Sequence, residues 1–193
     1  LEQAHRNFLE KGILDAKMMA GSLIHCVADY LAEKLGLRGP RALMSNACAA
    51  GAIAVGYAIE QLWFGDADVV ICGGVDPLTE LSSHGFTCLG ALDTEPCSPL
   101  SASSGLTLGE GAGFLILEKE ENAKRRGATI LAEISGYGTS CDGHHQTAPD
   151  PGGEGACRSM AAALEVARFI PEEIDYINLH GTGTPANDSV EPK

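Results

Sequence analysis

The stretch RALMSNACAAGAIAVGYAIEQLWFGDADVVICGG, residues 41–74, decides the fold. Its opening segment, 41–45, predicts a short strand, and residues 48–64 predict a helix that is apolar on nearly every face. The apolar run at 67–72, bounded by two glycines, predicts a buried parallel strand. Because a helix that is apolar all round is expected in the middle of a protein, this order predicts a layered α/β fold.

The same alternation of helices and strands continues on both sides of this stretch. Helices are predicted over 22–35, 78–83, 118–126 and 157–168, and strands over 106–117, 130–137 and 174–179. Within residues 76–105, a long irregular loop follows the short predicted helix at 78–83. A second irregular loop covers residues 140–155. Loops of this length in a compact domain are usually functional or poorly ordered.

Charge and length narrow the classes of function. The 193 residues contain 13 basic and 26 acidic side chains, which gives a net charge of −13. A nucleic-acid binder or a protein of anionic membranes needs a basic face, so neither partner is expected. The apolar fraction of 45% predicts a real hydrophobic core.

Targeting signals and cysteine usage favour the cytoplasm. No charged and then apolar segment opens the chain, so no secretory signal is expected. The apolar runs are broken by glycine and charge, and no membrane-spanning helix is expected. The seven cysteines are scattered and form no C-x-x-C pair, which favours a reducing compartment over a disulfide framework.

Cys48 is the strongest candidate for a nucleophile. It follows the predicted strand, opens the apolar helix and is flanked by the small residues Ala47, Ala49 and Ala50. The positive end of a helix favours a thiolate, and the N–H groups there can hold an oxyanion. A buried cysteine is also a common small hydrophobic residue, and the residues alone leave the two interpretations about even.

His180 is the second candidate, because it stands where a predicted strand ends and a loop of glycine and threonine begins. The C-terminal ends of parallel strands are where α/β proteins place functional groups. The hydroxyls of Thr182 and Thr184 suit a polar ligand arm. A hydrogen-bonded loop histidine and ordinary turn chemistry are the alternatives.

Several other patterns do not support a site. The glycine-rich stretch at 109–113 lacks the G-x-G-x-x-G order and enters a strand, and no G-x-S-x-G marks a hydrolase. Cys141, His144 and His145 lack the second pair of ligands that a zinc site needs, so no metal is expected. The basic run at 124–126 is interpreted as a solvated helix end rather than a docking patch for an acidic partner.

Four segments together resemble the β-ketoacyl synthases, the condensing enzymes of the thiolase-like fold. They are NACAAG at 46–51, LGEGAG at 108–113, QTAPDP at 146–151 and HGTGTPAND at 180–188. These are similar to the nucleophile motif, the glycine-rich strand, a loop of the type II enzymes and the first histidine motif, in the family's order. The resemblance covers the whole chain and is closest to the elongating synthases of fatty-acid and polyketide systems. It implies a thiolase-like layered α-β-α fold.

The resemblance implies a decarboxylative Claisen condensation. Cys48 would take an acyl group from an acyl carrier protein, and His180 would hydrogen-bond the malonyl thioester carbonyl and stabilise the enolate. Thr182 and Thr184 would bind the phosphopantetheine arm of the carrier protein, so no cofactor is expected on the chain itself. Phe86 would help to wall the acyl pocket.

Other positions either complete the implied site or depart from the family pattern. Asp188 and Glu191 would belong to a structural charge network beside the site. Ala49 and Ala50 replace the usual pair of serines after the nucleophile. The neutral segment 97–105 lacks the acidic and arginine residues that the family often carries there.

The resemblance also implies a protein about twice this length. Residues 1–193 would be one partial synthase domain, namely the first half without its opening strand and the start of the second half, ending after the first histidine motif. The family's lysine and its second histidine, in G-H-x-x-G-A-A-G, have no counterpart in these residues. We therefore expect that this chain alone does not condense acyl groups.

The implied partners are acyl carrier protein and a second synthase subunit, in a homodimer or a heterodimer. The alternative function is a catalytically incomplete synthase half that binds acyl carrier protein or pairs with another subunit. Hydrolysis of the acyl-enzyme or simple acyl transfer, as in other thiolase-like proteins, is also left open by the sequence.

Overall fold

The computed structural model describes residues 2–13, 15–21, 23–101, 104–145 and 147–193. Its α-helices are α1 (Glu2–Lys11), α2 (Ala16–Ala20), α3 (Cys26–Leu35), α4 (Ala50–Phe64), α5 (Glu80–Cys88), α6 (Glu120–Arg125), α7 (Glu154–Ala167) and α8 (Pro185–Val190). The strands are β1 (Val69–Asp76) and β2 (Gly111–Glu118), and short 3₁₀ turns lie at Ala47–Ala49 and Pro171–Glu173.

The chain divides into two compact units. The first consists of Leu1–Val75 and Ala112–Gly127 and holds α1 to α4, most of the β1–β2 sheet, and α6. The second consists of Asp76–Gly111 and Ala128–Lys193 and holds α5, α7 and α8.

In the first unit, Gly73 lets β1 lie against β2, with which it forms a two-stranded sheet. A Cβ atom on Gly73 would overlap the carbonyl oxygen of Gly113 and lie 2.8 Å from the Cα of Phe114. A Cβ on the neighbouring Gly74 would meet nothing within 4 Å. Gly73 is therefore needed for the close approach of the two strands, and Gly74 is not.

In the second unit, α7 packs directly on an extended segment. A Cβ atom on Gly136 would lie 2.7 Å from the carbonyl oxygen of Ala163, and one on Gly138 would lie 2.8 Å from the Cβ of Ala162. Both glycines thus allow the backbone to approach the helix closely. The α7 helix starts at Glu154, three residues before the predicted start, and the predicted helix around 78–83 extends as α5 to Cys88.

Three of the predicted strands are not formed among the described residues. Residues 41–45, 130–137 and 174–179 are not paired in any sheet, and β2 begins at Gly111 rather than at 106. Leu131 is 93% exposed and Tyr176 is 78% exposed. The apolar composition of these segments was read correctly, but a strand also needs a neighbour to bond to, and none of the described segments supplies one.

The observed hydrophobic core is smaller than the composition predicts. The buried hydrophobic residues in the described part are mostly small or lie on one face of α4: Ala4, Ala32, Ala58, Ile59, Leu62, Cys72, Ala123 and Val190. Within α4, residues 53–62 are buried or half-buried, and the exposed residues lie at the two ends of the helix, where Phe64 is 76% exposed. The prediction that α4 is buried on all sides therefore holds only in part: its middle is covered, although much of it is half-buried, and its ends are open.

The segment Ala47–Phe64 bears on the expectation about membrane spans. Its 18 residues are long and apolar enough to cross a membrane by length and composition, and 22% of them are buried. The glycines and the single charge at Glu60 do not interrupt the helix, so the premise that every apolar run is broken before 18 residues was wrong, while the expectation that no helix spans a membrane is not contradicted. The core helix of a layered protein has the same length and composition, so this criterion does not by itself place the segment in a membrane.

Candidate active site

Cys48 lies in the first unit, in the 3₁₀ turn that leads straight into α4. Ala47, directly before it, has a φ of +49°, which is unusual for a residue other than glycine. The Ala49 N–H donates to the carbonyl of Asn46 at 3.2 Å, which closes the turn. The Cys48 side chain is exposed, so the chain bends sharply at this point and presents the thiol to solvent.

The position of Cys48 suits a nucleophile. The α4 helix that follows has 15 residues, and its N-terminal end carries the positive end of the helix dipole. This end of the helix can stabilise an oxyanion that forms beside Cys48. The interpretation of Cys48 as a buried small hydrophobic residue does not agree with its exposure.

His180 lies in the second unit, and its backbone is held by Glu191, the residue that ends α8. One oxygen of the Glu191 carboxylate accepts a hydrogen bond from the His180 N–H, and the other accepts from the Gly181 N–H at 2.8 Å. The side-chain amide of Asn187 also donates to Glu191, at 2.8 Å. The His180 side chain itself is exposed.

The electrostatics of Glu191 favour its charged form. Burial acts to raise the pKa of the Glu191 carboxyl, but the hydrogen bonds that it accepts outweigh this effect and leave the pKa below its usual range. The carboxylate therefore stays ionised at neutral pH. Its partners are two backbone N–H groups and an amide, so the negative charge is held by hydrogen bonds.

The two threonines of the histidine loop interact with each other. The hydroxyls of Thr182 and Thr184 are 2.9 Å apart, and both side chains are half-buried. Each hydroxyl has one donor and two acceptor sites, so this bond leaves capacity for a ligand. Their assignment to the pantetheine arm stays a prediction.

Asp188 lies on α8 and points to a different loop. Its Oδ2 accepts a hydrogen bond from the N–H of Leu100 at 2.8 Å. Its Oδ1 is buried, with no hydrogen-bond partner among the described residues. The neutral segment 97–105 is thus joined to α8 by a backbone contact, and the part of it at 102–103 lies outside the described residues.

Phe86 lies on α5 and is half-buried. The segment before this helix is held by Glu110 of the glycine-rich motif, whose carboxylate accepts from the Leu78 N–H at 3.1 Å. Thr79 caps the helix by accepting from the Ser82 N–H at 3.0 Å. Whether Phe86 walls an acyl pocket stays a prediction.

Two acidic residues that sequence reasoning missed organise loops of the second unit. Asp93 accepts from the N–H of Ser104 at 2.7 Å and of Glu95 at 3.2 Å, and these bonds lower its pKa. Asp142 accepts from the N–H of His144 at 3.1 Å, and in addition from Asp150, and its pKa is lowered for the same reason. An acidic residue at a turn of Gly and Ser is a weak local signal for such loop caps.

His145, in the Cys141, His144 and His145 cluster, stabilises its own loop. The Nδ1 atom of His145 accepts from the N–H groups of Thr147 and Ala148, both at 3.1 Å. Within the described ranges, no group of three or more histidine, cysteine or acidic side chains is placed to hold a metal. The first residue of the motif at 146–151, Gln146, lies outside the described residues.

The basic run at 124–126 is paired with acidic or polar neighbours. Lys124 lies 2.7 Å from Glu120, and Arg126 pairs with Glu118. Arg125 donates to Asn122 at 2.7 Å. This is the arrangement expected of a solvated helix end.

The chain matches two consecutive family models. The model described as beta-ketoacyl synthase, N-terminal domain, matches residues 2–123, and the model described as beta-ketoacyl synthase, C-terminal domain, matches residues 131–193. The first match alone covers more than half of the chain. The chain belongs to the β-ketoacyl synthases.

Curated β-ketoacyl synthases align with the chain over most or all of its length. It is 38% identical to the 3-oxoacyl-[acyl-carrier-protein] synthase 2 of Vibrio cholerae, over 100% of this chain and 49% of that protein. It is 42% identical to the mitochondrial 3-oxoacyl-[acyl-carrier-protein] synthase of Arabidopsis thaliana, over 89% of this chain and 39% of that protein. The chain thus spans about half the length of the relatives it matches.

Solved ketosynthase structures share the fold. The ishigamide ketosynthase/chain length factor superposes with a TM-score of 0.92 and 36% identity, over 98% of this chain and 48% of that one. A type II polyketide ketosynthase, solved with its acyl carrier protein and bound to the hexaketide, superposes with a TM-score of 0.87 and 33% identity, over 93% and 46%. The predicted α/β fold of the ketosynthases is thereby confirmed.

Proposed function

We propose that this chain is the acyl-accepting part of a β-ketoacyl synthase that extends acyl thioesters with malonyl-acyl carrier protein. The observation that carries the proposal is the exposed thiol of Cys48 at the start of α4, behind the positive φ of Ala47. A cysteine buried for packing alone does not need this setting. Membership of the β-ketoacyl synthases makes acyl transfer the chemistry that fits the thiol best.

The first step is transfer of an acyl group to Cys48. The thiolate sulfur attacks the carbonyl carbon of an acyl thioester, and a new C–S bond forms as the bond to the pantetheine sulfur breaks. The pantetheine leaves as a thiolate and takes up a proton. The N-terminal end of α4 stabilises the negative charge that develops on the carbonyl oxygen.

The second step is condensation, and His180 is assigned to it. A malonyl thioester loses carbon dioxide, the resulting carbanion attacks the acyl carbonyl, and the sulfur of Cys48 leaves as a thiolate. The imidazole of His180 donates a hydrogen bond to the malonyl thioester carbonyl and so stabilises the enolate. Because the curated relatives are about twice as long, we assign this step to a protein that includes more than these residues.

The proposed partners are acyl carrier protein and a second ketosynthase-type subunit. Among the structural relatives, one is a ketosynthase with its acyl carrier protein and another is a ketosynthase/chain length factor. The phosphopantetheine belongs to the carrier protein, and Thr182 and Thr184 are assigned to its binding. All seven cysteines are free, which supports a reducing compartment, and we propose the cytoplasm.

Acyl loading of the 193-residue chain tests the proposal. The chain is incubated with an acyl-acyl carrier protein and with an acyl-pantetheine thioester, and the intact mass is measured. One acyl group is expected on the chain, peptide mapping should place it on Cys48, and Cys48→Ala should remove it. Cys88→Ala is the matched control, because Cys88 is also exposed but ends α5.

Three outcomes of these experiments would contradict the proposal or one of its assignments. A wild-type chain that is folded by circular dichroism and takes up no acyl group would contradict the proposal. So would a Cys48→Ala variant that loads as well as the wild type. Release of carbon dioxide from malonyl-acyl carrier protein together with a condensed product, from this chain alone, would contradict the assignment of condensation to a longer protein.

A second candidate function is a module that pairs with another subunit. The observation that favours it is the set of large apolar side chains that are exposed in both units, such as Phe64, Leu131 and Tyr176. Under this function, Cys48→Ala would leave subunit pairing unchanged, as measured by sedimentation of the mixture. Acyl loading that depends on Cys48 favours the first function.

A further inference from the structure

Two carboxylates of the α8 segment hold two loops that are far apart in sequence. Glu191 accepts from the backbone of His180 and Gly181, and Asp188 accepts from the Leu100 N–H at 2.8 Å. Leu100 and Asp188 are 88 residues apart, so their bond is a tertiary contact rather than a local cap. All of these residues belong to the second unit.

The turn at Leu100 needs an external support. Leu100 has a φ of +59°, in the left-handed region that residues with a side chain rarely adopt. Such a conformation persists only where the surroundings hold it. The Asp188 carboxylate does so, because it bonds the N–H of the strained residue itself.

The same turn touches the histidine loop. A Cβ atom on Gly181 would lie 3.7 Å from the Cβ of Pro99 and 3.9 Å from its Cγ, which means that the proline ring lies against this glycine. Gly181 itself has a φ of +58°. The loop that carries His180 is thus in contact with both Glu191 and Pro99.

The second oxygen of Asp188 adds an independent observation. Oδ1 is buried and has no partner among the described residues, although a buried carboxylate oxygen without a hydrogen bond is costly. An apolar side chain at this position would avoid that cost. A costly group that persists in a fold is expected where it serves the site rather than stability.

We propose that Asp188 is a positioning residue that fixes the His180 loop by holding the Pro99–Leu100 turn against Gly181. Loss of the acceptor releases Leu100 from its left-handed conformation. The proline ring then moves away from Gly181, and the histidine loop keeps only its support from Glu191. This inference deepens the proposed function, because the position of His180 matters for catalysis only if His180 contacts substrate.

Amide hydrogen exchange in the full 193-residue chain, followed by NMR, tests the coupling. In Asp188→Ala, exchange of the Leu100 amide should accelerate about tenfold, and exchange of the His180 and Gly181 amides about threefold. The imidazole ¹H–¹⁵N shifts of His180 should also change. Asp188→Asn keeps a side-chain acceptor and should restore all three amides to within about twofold of the wild type.

Control variants separate this coupling from a general loss of stability. Ser189→Ala is the matched control on α8, since the Ser189 hydroxyl donates only to the carbonyl of Ala186 in its own helix. Pro99→Ala removes the ring from Gly181 without changing α8. It should accelerate His180 and Gly181 while the Leu100 amide stays slow, and it serves as the test if Asp188→Ala does not fold.

The proposal is overturned if Asp188→Ala accelerates Leu100 and leaves His180 and Gly181 at wild-type rates. It is also overturned if Asp188→Asn behaves like the alanine variant, or if Pro99→Ala leaves the histidine loop unchanged. None of these readouts depends on acyl transfer. Failure of Cys48 to accept an acyl group and failure of this coupling are therefore separate results.

Discussion

The carboxylate of Glu191 holds the backbone N–H of His180 rather than its imidazole. The second oxygen of Glu191 binds the next N–H along the chain, at Gly181. A carboxylate that bonds two consecutive N–H groups fixes the direction in which the chain leaves the segment before the histidine. His180 is exposed, and among the described residues Glu191 makes no hydrogen bond to its imidazole, so the role of Glu191 is to orient the histidine loop without occupying the ring.

The ionised form of Glu191 should make stability depend on pH. Its pKa in the folded chain is lowered, so it adds stability above the pKa of an unfolded glutamate, about 4.3, and that stability is lost as the pH falls through the folded value. Between about pH 6 and pH 3, the wild type should therefore lose more unfolding free energy than Glu191→Gln. Urea titrations across this range measure the difference.

Glu172→Gln is the matched control for this pH dependence, because Glu172 is exposed in the 3₁₀ turn at Pro171–Glu173. It should keep the wild-type profile. If the free energy of unfolding depends on pH in the same way for the wild type and Glu191→Gln, the Glu191 carboxylate does not make the hydrogen bonds to His180 and Gly181 described above.

The close approach at Gly73 should make this glycine intolerant of a side chain. Gly73→Ala places a methyl group into the backbone of Gly113 and should lower the free energy of unfolding by about 3 kcal/mol or leave the chain insoluble. Gly74→Ala, one residue later, adds a methyl group in open space and should stay within about 0.5 kcal/mol of the wild type. Equal effects of the two substitutions, in solubility and urea unfolding, would argue against the β1–β2 contact.

The C-terminal end of α7 offers a stabilising substitution. Arg168 ends this helix with a φ of +59°, a conformation that glycine adopts without the steric cost of a side chain. Arg168→Gly should raise the free energy of unfolding by about 1 kcal/mol. Gly36→Ala, at the left-handed residue that ends α3, should lower it by a similar amount. If both changes shift the urea midpoint in the same direction, backbone conformation does not control these helix ends.

The two threonines of the histidine loop should affect binding of the acyl donor rather than the chemistry at Cys48. In the double variant Thr182→Val and Thr184→Val, the concentration of acyl-pantetheine for half-maximal loading should rise about tenfold, because a polar ligand loses its hydroxyl partners. The maximal loading rate should change little. Thr87→Val is the control, since the Thr87 hydroxyl bonds the Ser83 carbonyl within α5. A change confined to the maximal rate would remove the threonines from the donor site.

Helices were predictable because their signals are local. The 3.6-residue periodicity located α3 and α7, and an apolar run too long for a strand located α4. Glycine marked the ends of α3 and α4, where Gly36 and Gly65 are left-handed. The segment at 130–137 was predicted as a strand from its apolar residues, but pairing depends on a neighbouring strand and not on the segment itself. Local pattern therefore predicts helices better than sheets in this chain.

The candidate site was only partly predictable. Cys48 could be predicted as a nucleophile from the strand, the small residues and the apolar helix around it. The positive φ of Ala47, in contrast, is signalled neither by alanine itself nor by its neighbours in sequence. The bond from Leu78 to Glu110 spans 32 residues and the bond from Leu100 to Asp188 spans 88. Contacts between such distant positions are properties of the folded chain, and no periodicity reports them.

The backbone at Ala47 also determines which sequences this bend accepts. At a φ of +49°, a β-branched or bulky side chain collides with its own backbone, while glycine fits freely and asparagine at little cost. A library randomised at position 47 and selected for soluble, acylated chains should return chiefly glycine, asparagine and alanine. Alanine is then the smallest residue that restricts the unfolded chain more than glycine does, so the chain loses less conformational entropy when it folds into the bend before the nucleophile.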